Sequence, residues 1–450
     1  MGGEPVNLGT RLRSLYQDPV IRSFAWSFAG GLSSRIAVMA TTVIAARGLT
    51  PEDFAAYVGL SSVALLATAG WDAGVSALLV REFAKGEMTL MRALARAAIL
   101  RLKTSPVWIV IFFGGATALA RHGIVPPLLE SCFAAYSLVF GIETIMLSIL
   151  RAKLRFRKAE AVISLGRWVT GAMSIWGLLM VKQEHRLGFF AVAMLAGECS
   201  TLLLATMLAI GEPDRHIRSN RNREPSVSLT LSASLPFAAN SILAMAYNRF
   251  DVVIVAALTS PSQVASYVPA SRIQDALFLL PGAMGTVALP FISRGRISPD
   301  HRLDVTEIVR RLTRIGLTVS FIATLLLGSF TRDFIRLVFG NAYLGAVHAT
   351  QILVWFLPMA VVASPLLALL AGTDHAGDTT TVFGAAFGVA IVCHLLLDSR
   401  FGAVGAAVAS LARDPVALLV TYALVKKRDL IPSQRSFLAN WLPSIAEILR

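Results

Sequence analysis

Apolar runs of bilayer length recur along almost the whole sequence, and no other feature constrains its fold as tightly. A hydrocarbon core about 30 Å thick is crossed by roughly 20 apolar residues in an α-helix. Twelve stretches approach or exceed that length: 24–46, 54–80, 107–120, 125–150, 161–181 and 188–210, then 235–258, 264–292, 315–330, 346–370, 382–397 and 402–425. Within lipid the backbone finds no water, so each run must close its own hydrogen bonds as a helix. Charged residues make up only 15% of the 450 residues, against about 25% in soluble domains. That excludes a water-soluble globule and a disordered chain. The expected fold is an all-α polytopic membrane protein with about 12 transmembrane helices.

Orientation follows from the 41 Lys and Arg residues. With the N-terminus in the cytoplasm, most of them fall on cytoplasmic connections, the densest being the segment 151–158, RAKLRFRK. The positive-inside rule then puts both termini in the cytoplasm. Residues 1–20 lack the apolar core of a cleaved signal peptide, so the first span is expected to direct insertion. The net charge of +14 reads as membrane flanks, and no nucleic-acid partner is expected. Two pieces are amphipathic: 92–103 (RALARAAILRLK), and the tail, where Leu438, Trp441, Leu442, Ile445 and Leu449 share a face. Each fits a helix lying on the inner leaflet or one packed against neighbouring protein.

The chain also repeats faintly. Ile44-Ala-Ala-Arg-Gly-Leu-Thr-Pro51, followed by Ala55 and Tyr57, aligns with Ile254-Val-Ala-Ala-Leu-Thr-Ser-Pro261, followed by Ala265 and Tyr267. Arg186-Leu187-Gly188 and Arg400-Phe401-Gly402 repeat in the same sense. Such repeats imply two six-helix lobes in the same orientation. The expected organisation is a lobe over 1–212, a basic cytoplasmic linker over 213–234, a second lobe over 235–425, and a cytoplasmic tail over 426–450.

Enzyme signatures are missing. The sequence contains no GxxxxGK[ST], HExxH, GxSxG or CxxC, and Cys132, Cys199 and Cys393 all lie in apolar runs. No catalytic residue, metal ligand, cofactor or disulfide is therefore assigned. Outer connections are short, the longest being 331–345, which disfavours a polymerase or transferase with an outer domain.

Ionisable residues inside apolar spans carry the functional signal, because a charge in lipid is costly and faces a bundle interior or a cavity. They are Arg35, Arg167, Arg249, Arg272 and Arg413, with Asp72, Glu143, Glu198, Asp251, Asp275 and Asp414. Arg272 and Asp275, three apart, can pair along one helix. Arg413 and Asp414 precede Pro415, where a kink packed on polar neighbours is expected. Arg167 and Glu143 read as side chains reaching toward the inner headgroups, Glu198 as a buried hydrogen-bonded acid, and His394 as a packed core histidine. Arg35 has no acid within one turn of its helix, so it either pairs across helices or awaits an anion. Arg249 and Asp251, two apart, point to different faces, and each needs a partner elsewhere.

Several segments carry a family resemblance. Arg47-Gly48-Leu49-Thr50-Pro51-Glu52-Asp53-Phe54-Ala55-Ala56-Tyr57 resembles the R-x-L-G-P-E-D-[FY]-G-x-[YF] connection after the first span of Wzx-like polysaccharide flippases. Arg81-Glu82-Phe83-Ala84, Asn248-Arg249-Phe250-Asp251, Pro290-Phe291-Ile292-Ser293, Phe339-Gly340-Asn341-Ala342-Tyr343 and Phe401-Gly402 through Gly405-Ala406-Ala407 are similar to that family's later segments. Thr50 and Ala55 depart from it, standing where glycines are usual. These flippases belong to the multidrug/oligosaccharidyl-lipid/polysaccharide exporter (MOP) superfamily. The resemblance implies two lobes around a V-shaped cavity, alternating access, and a bacterial inner-membrane location. The implied cargo is an undecaprenyl-pyrophosphate-linked oligosaccharide for surface polysaccharide such as O-antigen or exopolysaccharide, with a polysaccharide polymerase as a partner beside the lipid bilayer. Cavity helices one, two, seven and eight then place Arg35, Asp72, Arg249, Asp251, Arg272 and Asp275 near the cargo. The three arginines are the expected cargo contacts, and Asp251, Asp72 and Asp275, as buried carboxylates, the expected ion-coupling residues. A drug or organic-cation antiporter of the same superfamily and a membrane polymerase or ligase are the alternative functions.

The orientation is testable by cysteine labelling in a background without native cysteines. In intact cells a membrane-impermeant thiol reagent should label positions 52 and 262, and should reach 153 and 221 only after permeabilisation. Labelling at 153 but not at 52 overturns the map.

Overall fold

The computed structural model describes residues 19–84, 90–120, 127–153, 155–211, 231–285, 302–372, 377–428 and 430. Most of the expected linker and the amphipathic tail lie outside these residues. Among those described, the structure is helical throughout. The first half comprises α1 (Pro19–Gly48), α2 (Pro51–Asp72), α3 (Val75–Ala84), α4 (Leu90–Ala120), α5 (Pro127–Ala152), α6 (Phe156–Met180) and α7 (Gln183–Gly211). The second comprises α8 (Leu231–Leu258), α9 (Pro261–Leu277), α10 (Arg302–Ser329), α11 (Thr331–Val338), a 3₁₀ turn (Asn341–Ala346), α12 (Val347–Leu353), α13 (Phe356–Gly372) and α14 (Asp378–Lys427).

Eight of these helices are long and apolar enough to cross a bilayer, or ten when two bent pairs each count as one span. The remaining expected stretches are accounted for locally. The eleventh and twelfth share the 50-residue α14, which turns at Gly402 (φ 55°, ψ −134°). The eighth corresponds to the 17-residue α9 and the helical residues after Phe278. Gly402 is required at its turn: its positive φ suits only glycine, and Gln263 Oε1 occupies the space of any Cβ while accepting from the Ala403 amide at 2.9 Å.

The repeat in the sequence recurs as geometry. Thr50 (φ −67°, ψ 159°) and Ser260 (φ −75°, ψ 157°) are N-caps of nearly identical conformation, each followed by a proline at the first helical position. Thr50 Oγ1 accepts from the Asp53 amide at 3.2 Å, and Glu52 and Asp53 complement the helix start. Where α2 ends, Ala73 adopts a left-handed conformation (φ 41°), which costs a residue with a Cβ about 1 kcal/mol. The bend divides the expected second span into α2 and α3.

Two expectations for connecting segments are resolved. The 92–103 segment does not lie apart as a surface helix: it is the first part of α4, with Ala93, Ala97, Leu100 and Arg101 buried. The 331–345 connection folds as α11 and the 3₁₀ turn, with α11 bent 78° from the preceding helix. Outward-facing apolar side chains such as Val110, Leu179, Leu203, Leu326 and Leu419 present the surface that lipid tails would cover.

The halves meet unequally at the two faces. On the face of the 48–51 turn, Ala45, Phe54 and Tyr57 of the first half share one buried cluster with Val255, Tyr267, Ile335 and Tyr343 of the second. Phe54 meets Tyr343 edge-on with ring centroids 5.5 Å apart. Arg47 donates from Nε to the Val338 carbonyl at 2.9 Å and from Nη2 to that of Leu337. Those carbonyls end α11 and have no intrahelical partner, so a first-half arginine caps a second-half helix. Toward the arginine-rich face the cores separate. Leu79, Ala97, Leu150 and Ala205 form one cluster in the first half, and Val309, Leu370, Val382 and Val425 another in the second. The halves thus share one core on the turn face, while on the other face their cores are separate although α3 and α4 still touch α8.

Candidate functional site

Of the six residues singled out for cargo or ion binding, three form one cluster. Asp275 Oδ2 receives Arg249 Nη1 at 2.6 Å and Arg272 Nη1 at 2.8 Å. The pair along α9 follows from its three-residue spacing, but Arg249 comes from α8. One carboxylate therefore serves two guanidinium groups directly, and the Asp251 carboxylate lies within electrostatic range of both. Its arginines reach toward the first half: Arg272 lies within electrostatic range of Tyr57, and Arg249 of Tyr136.

Arg35 stands apart. Its side chain is exposed from α1 and makes no ion pair or hydrogen bond among the described residues. It extends toward the backbone after α9, where a Cβ on Gly282 would lie 3.6 Å from its Nη1. From Gly48 to Arg35 the rise of an α-helix gives about 20 Å, so the guanidinium sits well below the closed turn face, on the side where the two cores part.

Asp72 has a different setting. It accepts from Arg101 Nη2 at 2.5 Å and from the Ser76 amide at 3.2 Å, which caps the start of α3. Arg101 also donates to Thr144 Oγ1 at 2.9 Å and lies 4.9 Å from the centre of the Trp71 ring. With side-chain exposures of 4% for Arg101 and 15% for Asp72, this ion pair pins α2 to α4. Arg101 escaped the sequence reading because its segment resembled a surface helix.

Asp251 is buried and bonded to a tyrosine rather than to a cation. Tyr267 donates to its Oδ2 at 2.6 Å, while Oδ1 is buried without a partner. From there a buried polar chain runs on. Tyr267 Oη lies 2.7 Å from Ser410 Oγ, Ser410 Oγ 3.3 Å from His394 Nε2, and His394 Nδ1 2.8 Å from Asp398 Oδ2. His394 therefore joins a network rather than merely packing. Asp398 was invisible in the sequence because it falls just past the expected end of its span. Beside Asp251 a polar cavity of about 20 Å³ is lined by Asn248, Ser271, Gln274, Asp275 and Asp414 among others, enough for about one water molecule.

The other charged residues also find partners. Arg413 stacks 4.4 Å from the Tyr247 ring centre and donates to the Tyr247 carbonyl, and Tyr247 donates to Asp414 at 2.6 Å. These contacts hold α14 to α8, and the helix continues through Pro415. Arg167 does not snorkel to headgroups: it is bonded to Glu198. Glu143 does not reach the surface either, being 1% exposed. No group of three or more His, Cys, Asp or Glu suited to a metal occurs among the described residues.

Comparison with known proteins agrees with this architecture. Residues 20–296 match the family described as polysaccharide biosynthesis protein, while no curated protein matches the chain. Among solved structures, the lipid II flippase MurJ in an inward closed conformation superposes with a TM-score of 0.67 at 13% identity, over 90% of this chain and 88% of that one. An inward-facing multidrug resistance MATE family transporter of the MOP superfamily gives 0.65 at 15% identity, over 88% and 94%. A MOP superfamily transporter from Pyrococcus furiosus, described as having a binding pocket of reverse polarity, gives 0.64 at 15% identity, over 94% and 98%. At these identities the likeness is one of fold.

Removing one partner of a buried ion pair typically costs about 3–5 kcal/mol. Asp72→Asn should therefore lower the melting temperature of the purified protein in detergent by several degrees or more. Adding Arg101→Met should recover much of the loss, because no cation is then left unpaired. An Asp72→Asn variant that melts like the parent removes the structural role of this pair.

Proposed function

Because the chain belongs to the polysaccharide biosynthesis protein family, we propose that it is a flippase for undecaprenyl-pyrophosphate-linked oligosaccharide units in the bacterial inner membrane. Both termini lie in the cytoplasm in this reading, and no bond of the cargo is made or broken. The observation that carries the proposal is the excess of guanidinium over carboxylate: Arg249 and Arg272 share Asp275, and Arg35 has no counter-charge among the described residues. A pyrophosphate suits such a site, since guanidinium groups donate paired hydrogen bonds and keep their charge. The cargo anion would compete with Asp275 for Arg249 and Arg272 and draw Arg35 toward the cluster.

The shared core on one face and separate cores on the other support alternating access, with the side of the separate cores facing the cytoplasm. Cargo moves the balance between states only through unequal affinity for them. Direction comes from a polymerase consuming units on the outer face, or from an ion. For the ion, Asp251 is the residue we assign: its unpartnered oxygen and the chain from Tyr267 to Asp398 give a bound cation or proton oxygen-rich surroundings. Asp72 and Asp275 instead hold arginines in place. The fold is equally that of multidrug transporters, but a cationic cargo would call for surplus carboxylates where this cluster has surplus arginines.

Arg35→Ala should abolish surface polysaccharide in a complementation assay while protein abundance stays near that of the parent, because no described contact is lost. Arg35→Lys should restore part of the export, lacking the planar fork. Normal export by Arg35→Ala removes the arginine from the cargo site.

For the ion, Asp251→Asn reconstituted in vesicles should still move cargo but lose its response to an imposed proton or sodium gradient. Retained gradient sensitivity overturns the assignment of Asp251.

A further inference from the structure

A second acidic site lies in the first half, away from Asp251. In α6 and α7 the sequences Gly166-Arg-Trp-Val-Thr170 and Gly197-Glu-Cys-Ser-Thr201 repeat the same small-xxx-small spacing. The two helices use it reciprocally: the space of a Cβ on Gly166 is taken by Thr201, and that of a Cβ on Gly197 by Thr170. Such close approach is the usual geometry of small residues at membrane helix crossings. It brings the next residues, Arg167 and Glu198, into a direct ion pair. Glu143 of α5 is buried beside the same pair and lies within electrostatic range of both Glu198 and Arg167.

Carboxyl groups outnumber guanidinium groups here. Two carboxyl groups, each 1% exposed, lie near one guanidinium, which Glu198 bonds directly and Glu143 only senses electrostatically. Other charged groups on the packed helices are engaged: Arg151 with Glu160, and Arg101 with Asp72. Tyr136 lies within electrostatic range of Glu198, Glu143 and Tyr57, and Thr170 and Thr201 line the helix crossing beside the pair. Glu143 Oε2 and Glu198 Oε2 are both buried, and neither meets a donor. Two carboxylates facing one another in an apolar slab without a donor between them would carry an uncompensated charge, which is expensive in that medium.

We propose that Glu143 and Glu198 hold a single shared proton and, anchored by Arg167, form a proton-exchange site in the first half of the molecule. With the proton bound, the three groups sum to zero charge and both orphaned oxygens are satisfied by one hydrogen bond. With the proton released, the site gains a negative charge beside Tyr57 and Tyr136, the two residues within electrostatic range of Arg272 and Arg249. Proton occupancy thus sets the charge that the first half presents to the arginines of the second. Proton binding itself needs no cargo, so this assignment stands or falls separately from the cargo proposal.

Infrared difference spectroscopy of the protein in lipid nanodiscs reads the proton directly. With carboxyl-¹³C glutamate incorporated, the unsubstituted protein near neutral pH should show a protonated glutamate carbonyl band that moves with the label and with deuteration. Glu143→Gln should remain folded, because its amide can donate to Glu198 as the shared proton does, and should lose that band. Glu198→Gln should lose it as well. Absence of a protonated glutamate band in the unsubstituted protein overturns the proposal without any variant. Persistence of the band in either folded variant also overturns it.

Discussion

Charge compensation across helices, inside a slab that cannot solvate charge, is the constraint on which the arrangement depends. An isolated ion in lipid costs several kcal/mol or more, so each helix bearing one is placed by the helix bearing its partner. Asp72 and Arg101 fix α2 against α4, and Arg167 and Glu198 fix α6 against α7. The Tyr247, Arg413 and Asp414 contacts fix α8 against α14. Apolar packing in lipid has little directional preference, since tails are as apolar as leucine. These polar contacts therefore supply much of the register that the hydrophobic effect supplies in water.

Among the described residues compensation is incomplete at several places, and function is proposed at some of them. At Asp275 one carboxylate bonds two arginines, around Glu198 the imbalance is negative, and at Asp251 a carboxylate is held by a hydroxyl. A fully neutral bundle would be a better solid and a poorer transporter. The same helical framework accommodates proteins described as flippases and as multidrug transporters, so the fold alone does not distinguish the kind of cargo.

The helices were legible because bilayer thickness sets a length that can be counted along the chain, and their joints because Thr50-Pro51 and Ser260-Pro261 carry capping chemistry in the residues themselves. Partners were legible only when they shared a helix. Arg272 and Asp275 are three apart, and their pairing follows from helical spacing. Arg249 is separated from Asp275 by 26 residues, Asp72 from Arg101 by 29, and Arg167 from Glu198 by 31. No local rule connects such residues. Arg101 was passed over for a further reason: its basic, apolar stretch fits a helix on the inner leaflet as well as one packed against neighbouring protein. Only the position of Asp72 decides between them.

The Arg47 contact has an asymmetry of its own. Its acceptors are the backbone carbonyls of Leu337 and Val338, which every amino acid supplies alike. This one contact between the halves, unlike the Phe54–Tyr343 ring contact beside it, which needs both, is therefore written in one half only. Mutational drift along the end of α11 leaves it intact so long as the helix ends there, whereas drift at position 47 removes it at once. Side chains along the end of α11 can thus vary without breaking this contact between the halves.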